Sequence, residues 1–197
     1  MSTTRIINPE AKRTAIIKSA TRQFARNGYD GASTADIAKD AGVSVGTVFR
    51  IFPTKEDLAN DIFQGICVAH EKINIMSGVA EPETRGGKES FEQLIKGNVA
   101  RVQSYPNEFM FFEASFGGTY LNSVSKHIAK RIRGQLADWI SYHRTKDVFI
   151  AAHVDVIFAM TIGGMARLAR ESIQRKFMIT SDMERDFFEM CWRAIAK

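Results

Sequence analysis

The sequence predicts an all-α chain in two parts: a three-helix N-terminal domain over residues 1–53, built on a helix-turn-helix, and a C-terminal helical bundle over residues 54–197. Three observations carry that expectation. Apolar residues return every three or four positions through nearly the whole chain, the spacing of one helical face. No run alternates apolar and polar residues as a half-buried strand does, and there is no internal repeat or low-complexity tract. Capping residues, glycines and prolines fall where the apolar runs end.

The opening residues MSTTRII read as a loose arm, and Arg5 on it suits a minor groove. Asn8-Pro9 is a helix entrance, a cap followed by proline at the first helical position. That helix runs to about Asn27 with Ile16, Ile17, Ala20 and Phe24 on one face, and Asn27-Gly28 ends it. Ser33 caps a second helix, with Asp36 completing an S-x-x-D box. Ile37, Ala38 and Ala41 give it an apolar face, and Gly42 supplies the left-handed turn of a sharp stop. Ser44 caps a third helix, Val45 to Ile51, which Pro53 stops. Thr54 and Asp57 form the next capping pair, opening a helix to about Ser77 through Leu58, Ile62, Ile66, Ala69 and Ile73.

Residues 78–88 read as an exposed loop. A helix over Glu89–Ser104 turns Phe91, Leu94, Ile95, Val99 and Val102 inward, and Tyr105-Pro106 breaks it. Asn107 caps a short helix from Glu108 to Ser115, and Gly117-Gly118 punctuates. Tyr120 to about His143 is a long helix with Leu121, Val124, Ile128, Ile132, Leu136 and Ile140 inward. Asp147–Ile173 and Asp182–Ala196 complete the chain. The last two carry small residues (Ala159, Gly163, Gly164, Ala166) and a nearly two-sided apolar surface (Phe187, Phe188, Met190, Cys191, Trp192, Ile195). Such surfaces suit a four-helix bundle across a twofold axis, a homodimer, or an ordinary core within one chain.

Two short helices joined by a turn containing glycine are the helix-turn-helix pattern. In it the second helix enters a DNA major groove with its N-terminal residues toward the bases. Here those are Ser44, Val45, Gly46 and Thr47, with Val48 and Phe52 inward and Thr47, Phe49 and Arg50 outward. The same residues suit two core helices of a protein that never touches DNA.

The segment resembles the DNA-binding domain of the tetracycline-repressor (TetR) family of bacterial transcription regulators. The resemblance runs without a gap through Arg13, Ile16, Ala20, Phe24, Gly28, Thr34, Ile37, Ala38, Gly42, Val43, Gly46, Thr47, Phe52, Lys55, Glu56 and Leu58, about the first 60 residues. It implies that Thr34, Phe49 and Lys55 touch DNA phosphates and that Ser44, Val45, Gly46 and Thr47 read bases. Where the family usually has a phosphate-bonding tyrosine this chain has Phe49, which lacks that hydroxyl; Arg50 beside it supplies a cation instead. The resemblance further implies a palindromic double-stranded DNA operator, dimerisation through the last two long helices, and an apolar or aromatic small-molecule effector bound in the C-terminal bundle.

Clefts between bundle helices are common ligand sites, apolar with a few polar groups. Phe112, Phe116 and Phe158 offer apolar lining, and Asn98, Tyr120 and His143 offer polar contacts. Packing alone accounts for the same stripe of aromatic residues. Composition fits these readings. Of 197 residues, 45% are hydrophobic and 25% charged, and the net charge of +5 suits a nucleic-acid partner. Residues 1–60 hold nine Lys/Arg against six Asp/Glu, so the excess is denser around the helix-turn-helix. Cys67 and Cys191 lie far apart in no metal spacing, which points to a reducing cytoplasm, to small core residues or, alternatively, to a redox sensor. No secretory signal is evident, and the apolar stretch Val156–Ala166 falls short of the roughly 20 residues of a membrane helix. No H-E-x-x-H, G-x-S-x-G or phosphate-loop motif is present, so the sequence calls for no enzyme chemistry, metal or cofactor. A weaker metal reading pairs His143 and His153 with Asp147 or Asp155. A helical interaction protein that no longer binds DNA is the remaining alternative.

Overall fold

A computed structural model of the chain describes residues 8–197, and among them every extended element is a helix. In chain order these are α1 (Pro9–Gly31), α2 (Thr34–Asp40), α3 (Val45–Ile51), α4 (Lys55–Ser77), α5 (Gly87–Ser104), α6 (Pro106–Ser115), α7 (Ser123–Thr145), α8 (Val154–Phe158), a π-helical turn (Ala159–Gly163), α9 (Gly164–Arg175) and α10 (Ser181–Ile195). The arm residue Arg5 lies outside the described residues. The chain divides into two compact units. The first takes the residues up to Ile66 together with Asn107–Lys126; the second takes Cys67–Pro106 and His127–Lys197. The start of α4, and α6 beyond its first residue, thus belong with the N-terminal helices.

In the first unit, the helix boundaries follow the caps. The Asn8 side chain accepts from the Glu10 amide, 2.9 Å. Gly28, at φ 72°, breaks α1 in a conformation that costs a β-carbon about 1–2 kcal/mol, and the chain then makes one more turn to Gly31. The core joins helices distant in sequence. Phe24 of α1 stacks on Phe111 of α6 at 5.3 Å, and Phe63 of α4 on Phe112 at 5.4 Å. Ile16, Ala20, Ile37, Val48, Phe52, Leu58 and Ile62 are buried around them. Arg13 of α1 pairs with Asp61 of α4.

Two starts differ from the sequence expectation. Proline itself opens α6, at Pro106, because its missing N–H is no loss in a first turn. α7 opens at Ser123, behind Asn122, whose side chain accepts the Ser125 amide at 2.9 Å. With that start Val124 is exposed, and Ser125 takes the inward position instead.

The second unit has its own core, centred on Phe91, Leu94, Ile95 and Val99 of α5, Leu136, Trp139 and Ile140 of α7, and Phe188, Cys191 and Ile195 of α10. Asn74 of α4 donates to Gln135 of α7 at 2.9 Å, and Arg131 pairs with Glu71 at 2.9 Å. The helix expected from Asp147 begins only at Val154. Asp147 adopts a left-handed φ of 61°, which closes α7, and His153 caps α8 by accepting the Asp155 amide. The intervening backbone pairs with the end of α10: the Ile150 amide donates to Ile195 O, and the Lys197 amide to Val148 O. Gly164 lies where a β-carbon would meet the Phe187 ring at 3.3 Å, so α9 and α10 approach closely within one chain.

Among the described residues no helix is long and apolar enough to cross a membrane. Both cysteines are buried and free. Burial pushes the Cys67 thiol up to about 12, with Glu71 adding to the effect, and raises Cys191 as well. The thiolate is the reactive form. A thiol reagent at neutral pH is therefore expected to leave both cysteines unmodified in the native protein and to titrate both in denaturant; rapid native labelling of Cys67 would contradict this packing.

Candidate nucleic-acid interface

α2 and α3 have seven residues each, too few for a helix to persist alone. Their ends are held by side chains. The Ser33 hydroxyl accepts the Ala35 and Asp36 amides, and the Ser44 hydroxyl accepts the Thr47 amide at 3.2 Å. Each such cap contributes about 1 kcal/mol. Gly42, at φ 67°, makes the turn between the two helices. Val48 and Phe52 are buried and fix α3 on the unit. The opposite face is open: Ser44, Val45, Gly46, Phe49 and Arg50 are all exposed. A β-carbon at Gly46 would meet nothing within 4 Å, so the backbone there is free to come close to another surface. Ser44 Oγ and Thr47 Oγ1 lie 2.9 Å apart and hold one another's rotamers.

The start of α4 forms the flank of this face. Thr54 and Asp57 complete a reciprocal capping box: the Thr54 amide reaches Asp57 Oδ2 at 3.1 Å, and the Asp57 amide reaches Thr54 Oγ1 at 3.0 Å. Lys55 is not a free cation. Its Nζ donates to Ala32 O at 3.0 Å and sits 4.4 Å above the Tyr29 ring. The ammonium is therefore held beside the segment that leads into Thr34, the first residue of α2. Tyr29 in turn stacks on Tyr120 at 3.9 Å and 15°. Burial, then Glu56 and Asp30, raise the Tyr29 phenol, which stays protonated. Sequence reasoning placed Lys55 on this face but missed Tyr29, whose signal was its position directly after the helix-breaking Gly28.

α1 and α2 are clamped through Asp40. Its Oδ2 accepts from Arg22 at 2.6 Å and from Ser19 at 2.7 Å, and Ser19 also donates to Ile37 O. These hydrogen bonds, that from Arg22 foremost, hold the Asp40 carboxyl below the usual aspartate range.

The six effector candidates are split between the units. Phe112, Phe116 and Tyr120 belong to the first, where Phe112 and Phe116 meet edge to face at 4.8 Å. Asn98, His143 and Phe158 belong to the second. There Asn98 donates to its own helix at Leu94 O, and Phe158 lies 4.4 Å beneath the Arg133 guanidinium. His143 is buried against Trp139 and Phe149, and burial lowers its pKa. An open cleft of about 360 Å³ is lined by Ser141, Arg144, Thr145, Asp147, Phe149, Ala151 and Lys197, and includes none of the six. His143 is thus a core residue and His153 an exposed cap; among the described residues no group of three His, Cys, Asp or Glu is placed to hold a metal ion.

Comparison with known proteins bears on the same face. Residues 16–62 match the family described as bacterial regulatory proteins, tetR family. The HTH-type transcriptional regulator LuxR of Vibrio harveyi is 38% identical over 60 residues, 30% of this chain and 29% of that protein. An uncharacterised HTH-type transcriptional regulator of Haemophilus influenzae is 24% identical over 191 residues, 92% of this chain and 94% of its own. The crystal structure of a TetR family transcription regulator from Marinobacter aquaeolei superposes with a TM-score of 0.75 at 19% identity, covering 95% of this chain and 97% of the other. All three are regulators of transcription.

The Asp40 clamp gives this face a pH dependence. Its carboxyl has a lower pKa folded than unfolded, so it adds stability above about pH 4 and loses it as pH falls through the depressed value. Asp40→Asn is expected to lower the melting temperature by a few degrees at neutral pH, with the gap to the parent closing below about pH 4. A gap that persists in acid would assign the effect to packing instead.

Proposed function

We propose that this chain is a transcription regulator of the TetR family, whose DNA-binding region its residues 16–62 match, that it binds a palindromic operator as a homodimer, and that it is released by a small-molecule effector. In this reading residues 1–53 bind DNA, and residues 54–197 receive the effector and pair with a second copy. The observation that carries the reading is the exposed start of α3. Small residues, Ser44 through Thr47, lead the helix over a base anchored by Val48 and Phe52, the form required of a helix laid N-terminus first into a major groove. Ser44, Val45, Gly46 and Thr47 read bases. Thr34, Arg50 and Lys55 flank them and contact phosphates, with Lys55 already oriented by Tyr29 and Ala32, and the Phe49 ring packs beside the backbone.

Pairing is supported by the apolar side chains that the last helices leave exposed: Val156, Met160 and Met190. A twofold pair presents two recognition helices about 34 Å apart, one DNA turn. An effector that favours a different separation lowers DNA affinity by the ratio of its affinities for the two states. Such an effector is apolar or aromatic, and the protein acts in the cytoplasm as a repressor relieved by ligand. A second reading, a helical interaction protein without DNA affinity, draws on one feature: the exposed ring of Phe49 lacks a hydroxyl to bond a phosphate.

Selection of bound sequences from random duplex DNA decides between the two. The expected result is an inverted repeat, bound with a log K against log salt slope of about −4 to −5, as for four to six neutralised phosphates. Enrichment of no duplex at low salt would favour the interaction protein. Phe49→Tyr is expected to tighten operator binding by about 1 kcal/mol, the worth of one added hydrogen bond. Unchanged affinity in a titration would place the ring away from the phosphates.

A further inference from the structure

Asn60 is a polar side chain in the apolar interior of the first unit. Leu58, Ala59, Ile62 and Phe63 are buried around it on α4, and Asn60 itself is 4% exposed. All four of its hydrogen-bonding capacities are used. Nδ2 donates to Glu56 O at 2.8 Å and Tyr120 O at 2.9 Å; Oδ1 accepts from the Asn122 amide at 2.9 Å and from Ser125 Oγ at 2.7 Å. The Asn122 amide, which only donates, fixes which end of the side chain is oxygen. Ser125, fully buried, also accepts from Gln64 Nε2 at 3.1 Å. Three of the four partners of Asn60 lie on the stretch from Tyr120 to Ser125, the end of the connection after α6 and the first residues of α7.

Apolar faces tolerate small slides and repacking, whereas a fully satisfied buried polar network admits one arrangement. The network therefore fixes the start of α7 on α4. Both helices continue from the first unit into the second, α4 past Ile66 and α7 past Lys126. Asn60 also stands five residues beyond Lys55, about 7.5 Å along the axis, on the helix that follows α3 after Phe52, Pro53 and Thr54.

We propose that Asn60 is a positioning residue for operator recognition: by locking the Tyr120–Ser125 stretch to α4 it holds α3 at one separation from the α3 of a paired copy. This rests on the paired, operator-binding reading given above. Without the lock the two recognition helices still form but sample a range of separations, so the preference for one half-site spacing relaxes.

The test uses the full chain, the operator obtained by selection, and spacers one or two base pairs longer or shorter. Asn60→Ala, Ser125→Ala and the double variant are compared with the parent for melting temperature and for affinity at each spacing. Asn60→Ala is expected to lose about tenfold at the preferred spacing, within the range of ordinary coupling between sites, and much less at the others. Ser125→Ala should show the same pattern more weakly, and the double variant should be no worse than Asn60→Ala. If Asn60→Ala does not fold, Ser125→Ala, which leaves three of the four bonds in place, carries the test. Parental affinity and spacing preference in the variants would overturn the proposal. So would an equal loss at every spacing, since that is the mark of a structural role alone. A parent chain that selects no duplex would overturn the operator reading and this inference with it, an outcome distinct from a parent that binds and variants that do not differ.

Discussion

The first unit depends on a constraint of length. A helix of seven residues closes too few backbone hydrogen bonds to offset the cost of its nucleus, and α2 and α3 are both that short. Their existence is borrowed from outside. Hydroxyls at Ser33 and Ser44 satisfy their first amides, Gly42 turns the chain where a side chain would be strained, and Ile37, Val48 and Phe52 pin them to a core made by Phe24, Phe63 and Phe111. The surface presented by α3 is therefore only as well placed as the helices beneath it. The ties among them, Arg22 to Asp40, Arg13 to Asp61 and Lys55 to Ala32, all join α1 or its exit to a later helix.

What was legible in the sequence was punctuation. Asn8-Pro9, Ser33, Gly42, Ser44 and the Thr54/Asp57 box mark real boundaries, because capping acts between residues two or three apart and needs no distant partner. The inward residues of α5 were legible for the same reason, since their spacing repeats without interruption. What escaped was whatever a distant residue decides. Ser125 turns inward in place of Val124 because Asn60, 65 positions earlier, receives its hydroxyl. The stretch after Asp147 is not helical because the end of α10 pairs with its backbone. Asn122 marks the start of α7 locally, but nothing local announces the distant partner in either case.

The same limit governs the candidate sites. The exposed residues of α3 follow from spacing and are where spacing puts them. Lys55 followed from resemblance, yet its immobilisation by an aromatic ring and a carbonyl required the hook that Gly28 makes in α1. The six effector candidates carried no such information: Phe112, Phe116 and Tyr120 belong to the first unit, and Asn98, His143 and Phe158 to the second. Composition records how many rings a region holds, not which unit each belongs to.

The π-helical turn between α8 and α9 explains one irregularity in the inward line. Ile157, Thr161, Met165 and Ala169 are buried at uninterrupted steps of four. In a regular α-helix each such step overshoots a full revolution by about 40°, so the line would wind off the core within three steps. A wider turn at Ala159–Gly163 slows the winding, and the Cys191 thiol donates to the carbonyl of Met160 within it. This stretch thus keeps time by fours, and the helix has been loosened to match its side chains rather than the side chains chosen to match the helix.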